Sequence, residues 1–213
     1  MIYLIVVFSL SLLNAKLPND VRWVVSSEEY KFNCIQTYQV AYHSILEKCT
    51  NTNNPVIVMD LDETILDNSN YQVGLYEKGE TYNPESWSEW VNKQEAQLVP
   101  GAKEFILNYK KIKNSKIIFI SNRMDKNLDA TKKNMKDLQI LFDDDIFLLR
   151  LDKADTKIVR RNEVLNGIGR MQEYGKQYVI AYFGDAMGDF PDDPSYQWTL
   201  NKFIFPNPMY GKW

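Results

Sequence analysis

The sequence predicts an α/β fold: a parallel sheet with helices on both faces and a small, mainly helical cap. Three observations carry that expectation. Five short apolar runs lack polar alternation, as strands buried on both faces do. Amphipathic stretches separate most of them, giving the strand–helix–strand rhythm of a parallel sheet. One aromatic-rich segment breaks the rhythm after the first run, where an insertion would sit.

The 213 residues are 45% hydrophobic and 25% charged. These are globular proportions, and at this length they favour one elaborated domain. From Ile2 to Leu13 ten of twelve residues are apolar, and the run stops at Asn14-Ala15-Lys16. It is shorter than the ~20 residues of a membrane span and suits the apolar region of a secretory signal. Residues 1–15 are therefore expected to be a signal peptide, and the protein to be periplasmic or secreted with no stable membrane anchor after cleavage.

A helical segment, 16–54, comes next. Ser26-Ser27-Glu28-Glu29 marks a helix start, and Ile35, Tyr38, Tyr42, Ile45 and Cys49 recur at steps of three and four. On one continuous helix, Cys34 and Cys49 lie about 22 Å apart along the axis, far beyond the ~7 Å that a disulfide spans. Both are expected to be packing thiols. His43, on the same helix, reads as an ordinary core or surface residue.

The core, residues 55–213, opens with a strand at Val56–Met59. Further strands are expected at Ile117–Ile120, Ile146–Leu149, Tyr178–Phe183 and Phe203–Phe205. Helices are expected at Ala102–Lys111, Leu128–Leu138 and Lys157–Tyr174. The segment from about 70 to 97 holds Tyr71, Tyr76, Tyr82, Trp87 and Trp90 between charged residues, and is read as the cap.

Right-handed crossovers bring the C-terminal ends of all the strands to one edge, where ligands bind. Three runs end there in polar residues: Asp60-Leu61-Asp62-Glu63-Thr64, Ser121-Asn122-Arg123, and Gly184-Asp185 with Asp189. The net charge of −3 leaves no basic surface to dominate binding of a nucleic-acid polymer, and a single histidine excludes a multi-imidazole metal centre. Chemistry must rest on carboxylates. Two of them 4 Å apart repel by about 4 kcal/mol at an effective dielectric of 20, so a convergent set needs a proton or a cation. Oxygen-only ligands favour a hard ion, and Mg²⁺ is the natural one. Such an environment suits phosphoryl transfer.

Asp60-x-Asp62-x-Thr64, Ser121, Lys157, and Gly184-Asp185 with Asp189 resemble the four ordered motifs of the haloacid dehalogenase (HAD) superfamily. The likeness is closer to its bacterial class C acid phosphatases, which include lipoprotein 5′-nucleotidases. The shared phrases are Asp60 to Asn68, Val99-Pro-Gly-Ala102, Ser121-Asn-Arg123, Gly184-Asp185 with Asp189-Phe190, and Pro206-Asn207 followed by Tyr210-Gly211. The resemblance implies a HAD-like Rossmannoid core and an Mg²⁺-dependent phosphomonoesterase, active at acidic pH on nucleoside 5′-monophosphates and aryl phosphates.

The same resemblance implies roles. Asp60 would attack phosphorus, and Asp62 would protonate the leaving group and then deprotonate water. Metal would be held by the side chains of Asp60 and Asp185 and the backbone carbonyl of Asp62, with Asp189 in support. Ser121 and Lys157 would bind the phosphoryl oxygens. Trp87 and Tyr210 would sandwich the base or aryl ring, with Asn122 and Arg123 within reach of substrate.

Plainer roles exist for each: Ser121 as a turn cap, Lys157 on a solvated helix face, Trp87 in the core, Tyr210 as a tail anchor. Asp143-Asp144-Asp145 reads as a solvated turn, and Asp67 and Asn68 as braces of the loop. Family members often carry Asn where this chain has Ala186, and an acidic residue or Asn where it has Gly188, which bears on outer contacts. The lipid-attachment cysteine of lipoprotein members is absent. A homodimer is possible. A receiver-type signalling module and a nucleotide-holding surface protein without turnover are the rival readings; the first does not account for the acid two residues after the nucleophile.

Overall fold

The computed structural model describes residues 17–211; the expected signal peptide lies outside them. Among the described residues no helix is long and apolar enough to cross a membrane. A short helix α1, Asn19–Ser26, precedes the expected one within the helical segment 16–54. Ser27 then caps α2, Glu28–Thr50, where its hydroxyl accepts from the Tyr30 N–H at 3.0 Å. Glu28 and Glu29 complement the helix dipole in the first turn. The buried stripe of α2 is Tyr30, Cys34, Tyr38, Ala41, Ile45 and Cys49, so Cys34 rather than Ile35 faces inward. Both thiols are free and buried, and His43 is exposed.

Strand β1, Val56–Met59, leads to a two-stranded antiparallel stem, β2 (Leu66–Asp67) with β3 (Gln97–Leu98). Helices α3 (Ser69–Lys78) and α4 (Pro84–Lys93) lie between the stem strands. The stem joins this aromatic-rich segment to the core at both ends. Helix α5 (Ala102–Lys110), β4 (Lys116–Met124), α6 (Leu128–Asp137), β5 (Ile146–Arg150), α7 (Lys157–Asn166), β6 (Val179–Gly184) and β7 (Lys202–Ile204) follow. The five long-sheet strands run in the order β5-β4-β1-β6-β7, all parallel.

Alternate residues of β1 enter two separate cores. Ile57 and Met59 pack with Tyr38, Phe105 and Phe183, whereas Val56 and Val58 pack with Ile118, Leu148 and Val164. Burial on both faces explains the unbroken apolar runs, and confirms the α/β class. The chain reverses direction across the sheet at β1, because β4 and β6 flank it. A crevice therefore opens at the C-terminal end of β1, the switch point where ligands bind in such sheets.

Three expectations are corrected, two of them on element ends. Helix α7 stops at Asn166 instead of Tyr174, because Gly167 takes a left-handed φ of 63° and ends it. Strand β4 runs on to Met124, so Ser121-Asn122-Arg123 lies within it, and its register with β5 slips between Ser121 and Met124. Asp145 is not simply solvated: its side chain is fully buried, accepts from the Phe142 N–H at 2.9 Å, and lies 3.4 Å from Lys110 Nζ. Burial pushes its carboxyl up to about 6.

Candidate active site

Asp60 directly follows β1 and donates its backbone N–H to the Phe183 carbonyl of β6 at 2.9 Å. Its side chain points into the crevice rim and is almost wholly buried. Lys157, the first residue of α7, places Nζ 2.8 Å from Asp60 Oδ1 and donates to Asp189 Oδ1. The Asp60 contact is one of charge, since Oδ1 has no partner of hydrogen-bond geometry. Carboxylate oxygens of Asp60, Asp185 and Asp189 all lie within 4.8 Å of one another. At an effective dielectric of 20 each such pair repels by at least about 3.5 kcal/mol, and a single ammonium does not neutralise three charges.

The protonation tendencies follow from that crowding. Burial pushes Asp60 well above the usual carboxylate range; Lys157 opposes the rise, while Asp189, Asp185 and Asp62 add to it. Burial and the neighbouring Asp189 push Asp185 up to about 6, against the pull of Asn207 and Lys157. For Lys157, burial alone would lower the ammonium, but Asp60 and Asp189 outweigh it and hold it above the ordinary lysine value.

Local chain geometry makes this convergence possible. A Cβ added to Gly184 would sit 2.3 Å from both Cβ and Oδ2 of Asp189. Only a bare α-carbon lets Asp189 fold back against the end of β6. Asp189 Oδ2 is fixed there by the Ala186 N–H at 2.9 Å, a backbone contact that needs no side chain at Ala186. Asn207 donates from Nδ2 to Asp185 Oδ2 at 2.8 Å, and so ties the C-terminal segment to the cluster.

Asp62 is not part of the triad by its side chain. It turns instead toward Arg123, whose Nε donates to Oδ1 at 2.9 Å with Nη2 2.8 Å from the same oxygen. Asn68 Nδ2 also donates to Oδ1, at 3.0 Å, and the Ser121 hydroxyl donates to Oδ2 at 3.3 Å. Ser121 is fully buried, and its hydroxyl also accepts from the Arg123 N–H at 3.2 Å, the local bond of a turn cap.

The expected outer residues divide. Arg123 is 1% exposed and its guanidinium is taken up by Asp62, Asn68 and Thr131. Asn122 is exposed, with its carbonyl oxygen accepting from Arg160 Nη2 at 2.7 Å. Trp87 is half-buried on α4, edge-on to Tyr71 at 5.1 Å and 6.5 Å from the exposed Tyr82, with the Arg123 guanidinium carbon 5.9 Å from its ring centre. Tyr210 is exposed three residues beyond Asn207.

Sequence reasoning missed Arg160, which a run of charges disguised as part of a solvated face. It is completely buried and donates to the carbonyls of Ser121, Leu148, Asp155 and Thr156 as well as to Asn122. One signal was present: Arg160 stands three residues after Lys157, on the same face of the same helix.

A family model described as HAD superfamily, subfamily IIIB (Acid phosphatase), matches residues 6–213. The chain belongs to that acid phosphatase family. The acid phosphatase fold is also similar to solved structures of the class C acid phosphatase from Bacillus anthracis. The tungstate-bound one is 29% identical with a TM-score of 0.75, covering 94% of this chain and 86% of the other. A second is 30% identical with the same TM-score and coverage. Among curated proteins, the stem 31 kDa glycoprotein of Glycine max is 26% identical over 197 residues, 87% of this chain and 70% of that protein. The chain is accordingly a phosphoric monoester hydrolase with a HAD-like core.

Proposed function

We propose that this acid phosphatase is Mg²⁺-dependent, forms an aspartyl-phosphate on Asp60, and hydrolyses nucleoside 5′-monophosphates and aryl phosphates outside the cytoplasm. The observation that carries the mechanism is Asp60 itself: a buried carboxylate at the end of the central strand, 2.8 Å from a buried ammonium and crowded by two further carboxylates.

The donor set fits a hard divalent ion. It is oxygen-only, and Asp60 Oδ1 is buried without a hydrogen bond. Asp60, Asp185 and Asp189 would hold the ion, with the Asp62 carbonyl assigned to it by family resemblance. When bound, Mg²⁺ would offset part of the negative charge of the carboxylates and of the phosphoryl group.

The chain's own residues supply the rest. An Asp60 oxygen attacks phosphorus and the P–O bond to the leaving group breaks, while Lys157 and Ser121 hold the phosphoryl oxygens. Asp62 gives its proton to the departing alkoxide. Asp62 then takes a proton from water, whose oxygen attacks phosphorus and releases phosphate and free Asp60. The oxyanion in the related B. anthracis structure, tungstate, is a tetrahedral dianion like phosphate. Trp87, with Tyr82 beside it, and Tyr210 offer stacking faces for a base or an aryl ring.

The test is phosphate release from nucleoside 5′-monophosphates and an aryl phosphate, with Mg²⁺ or with chelator. Turnover should require metal and vanish in Asp60→Asn. Persistent turnover in that variant removes the nucleophile, and indifference to chelator removes the metal.

A further inference from the structure

Asn68 lies at the crossing point between the cap and the acid–base group. It is fully buried, directly after β2 and before α3. Its Nδ2 donates to Asp62 Oδ1 at 3.0 Å and to the Leu66 carbonyl at 3.1 Å. Its Oδ1 accepts from Trp90 Nε1 at 2.9 Å and from Arg123 Nη2 at 3.3 Å. Its own N–H donates to Glu63 Oε1 at 2.9 Å, and its carbonyl accepts from the Tyr71 N–H at 2.9 Å. Trp90 and Arg123 are obligate donors and the Leu66 carbonyl is an obligate acceptor, so the amide has one satisfactory orientation.

A loop brace needs only the backbone bonds. The side-chain bonds do something else. Trp90 belongs to α4, 22 residues further along the chain and inside the cap segment. Asp62 lies three residues beyond the end of β1, and Arg123 near the end of the neighbouring β4. One amide thus links the cap to both members of the Asp62–Arg123 pair, inside a region where unsatisfied polar groups are costly.

We propose that Asn68 is a positioning residue for proton transfer: it locks Asp62 and Arg123 to the cap through Trp90, so that the seating of the cap sets where the proton is delivered. This role presupposes the proton donor assigned to Asp62 above, and the experiment separates the two.

Leaving-group dependence is the readout, because a correctly placed acid matters most for a poor leaving group, and loss of fold does not discriminate between substrates. The full chain with Mg²⁺ is assayed on a series of aryl phosphates of falling phenol acidity and on one alkyl phosphate, for wild type, Asp62→Asn, Asn68→Asp and Trp90→Phe. Asn68→Asp keeps the shape and the acceptor toward Trp90 and Arg123, and replaces the donor toward Asp62 and the Leu66 carbonyl by a carboxylate oxygen. Trp90→Phe keeps an aromatic ring and removes the N–H together with the five-membered part of the indole.

General acids contribute about 10²–10⁴-fold, so Asn68→Asp should lower kcat/KM, which reports the leaving-group step, roughly tenfold more for the alkyl phosphate than for the most acidic phenol. Trp90→Phe should show the same bias at roughly two- to fivefold, and Asp62→Asn the largest bias. A selective Asp62→Asn beside Asn68→Asp and Trp90→Phe variants that slow every substrate equally, or none, overturns the positioning role. An Asp62→Asn that shows no selectivity overturns the acid assignment, and the positioning role with it. If Asn68→Asp fails to fold, Trp90→Phe decides alone.

Discussion

Replacing Gly184 by alanine inserts one methyl group at the tightest point of the site. The added Cβ would lie 2.3 Å from Cβ and Oδ2 of Asp189 and 2.6 Å from its carboxyl carbon. Unstrained carbon contacts are about 3.5–4.0 Å, so the two groups must separate by more than about 1 Å. Asp189 has little room to yield, because its oxygens are held by Lys157 and by the Ala186 N–H. Overpacking of this kind costs about 1–3 kcal/mol, a fall in Tm of roughly 2–12 °C for a domain of this size. A 1 Å misplacement of a site residue costs about 100-fold in rate. Differential scanning fluorimetry and phosphate release on the purified variant measure both. The double variant Gly184→Ala with Asp189→Gly removes the three nearest clashing atoms. It should recover much of the lost stability and none of the lost activity. Wild-type Tm and rate in Gly184→Ala would refute the close approach, and recovery of activity in the double variant would refute a role for Asp189.

Other outcomes follow from the same geometry. Trp87→Ala should raise KM for a nucleoside monophosphate roughly tenfold or more, matching the ~1–3 kcal/mol of a stacked base, and should leave KM for a small aliphatic phosphate nearly unchanged; equal effects would refute stacking. Arg170 donates to both Asp155 and Glu163, and although burial opposes it, Arg170 and the Leu151 N–H hold Asp155 below the ordinary carboxylate value. A depressed carboxylate stabilises the fold above its unfolded pKa of about 3.9, and that stability is lost as pH falls through the folded value. Arg170→Ala should therefore lose roughly 1.5–3 kcal/mol at pH 7, with the gap to wild type closing in acid, as read by urea unfolding at several pH values. Cys34 and Cys49, whose thiols burial pushes up to about 12 and about 11, should resist a thiol reagent in the native protein and both react after denaturation.

Local pattern alone determined much of this protein. The apolar runs of β1, β4, β5 and β6 read as doubly buried strands because both faces of each pack into a core, and the spacing Asp60-x-Asp62-x-Thr64 after β1 marked the functional edge. The free, buried cysteines also followed from helical spacing. Tertiary structure decided the rest. Asp62 and Asp60 are two residues apart, yet one faces Arg123 and the other Lys157, a division no periodicity announces. The burial of Arg160, the buried side chain of Asp145 within a run of three acids, and the contact of Gly184 with Asp189 likewise depend on what lies opposite. Hydrophobic period records which face of an element is dry. Charge pairing and steric fit are set by partners distant in the chain, and appear only when the elements are brought together.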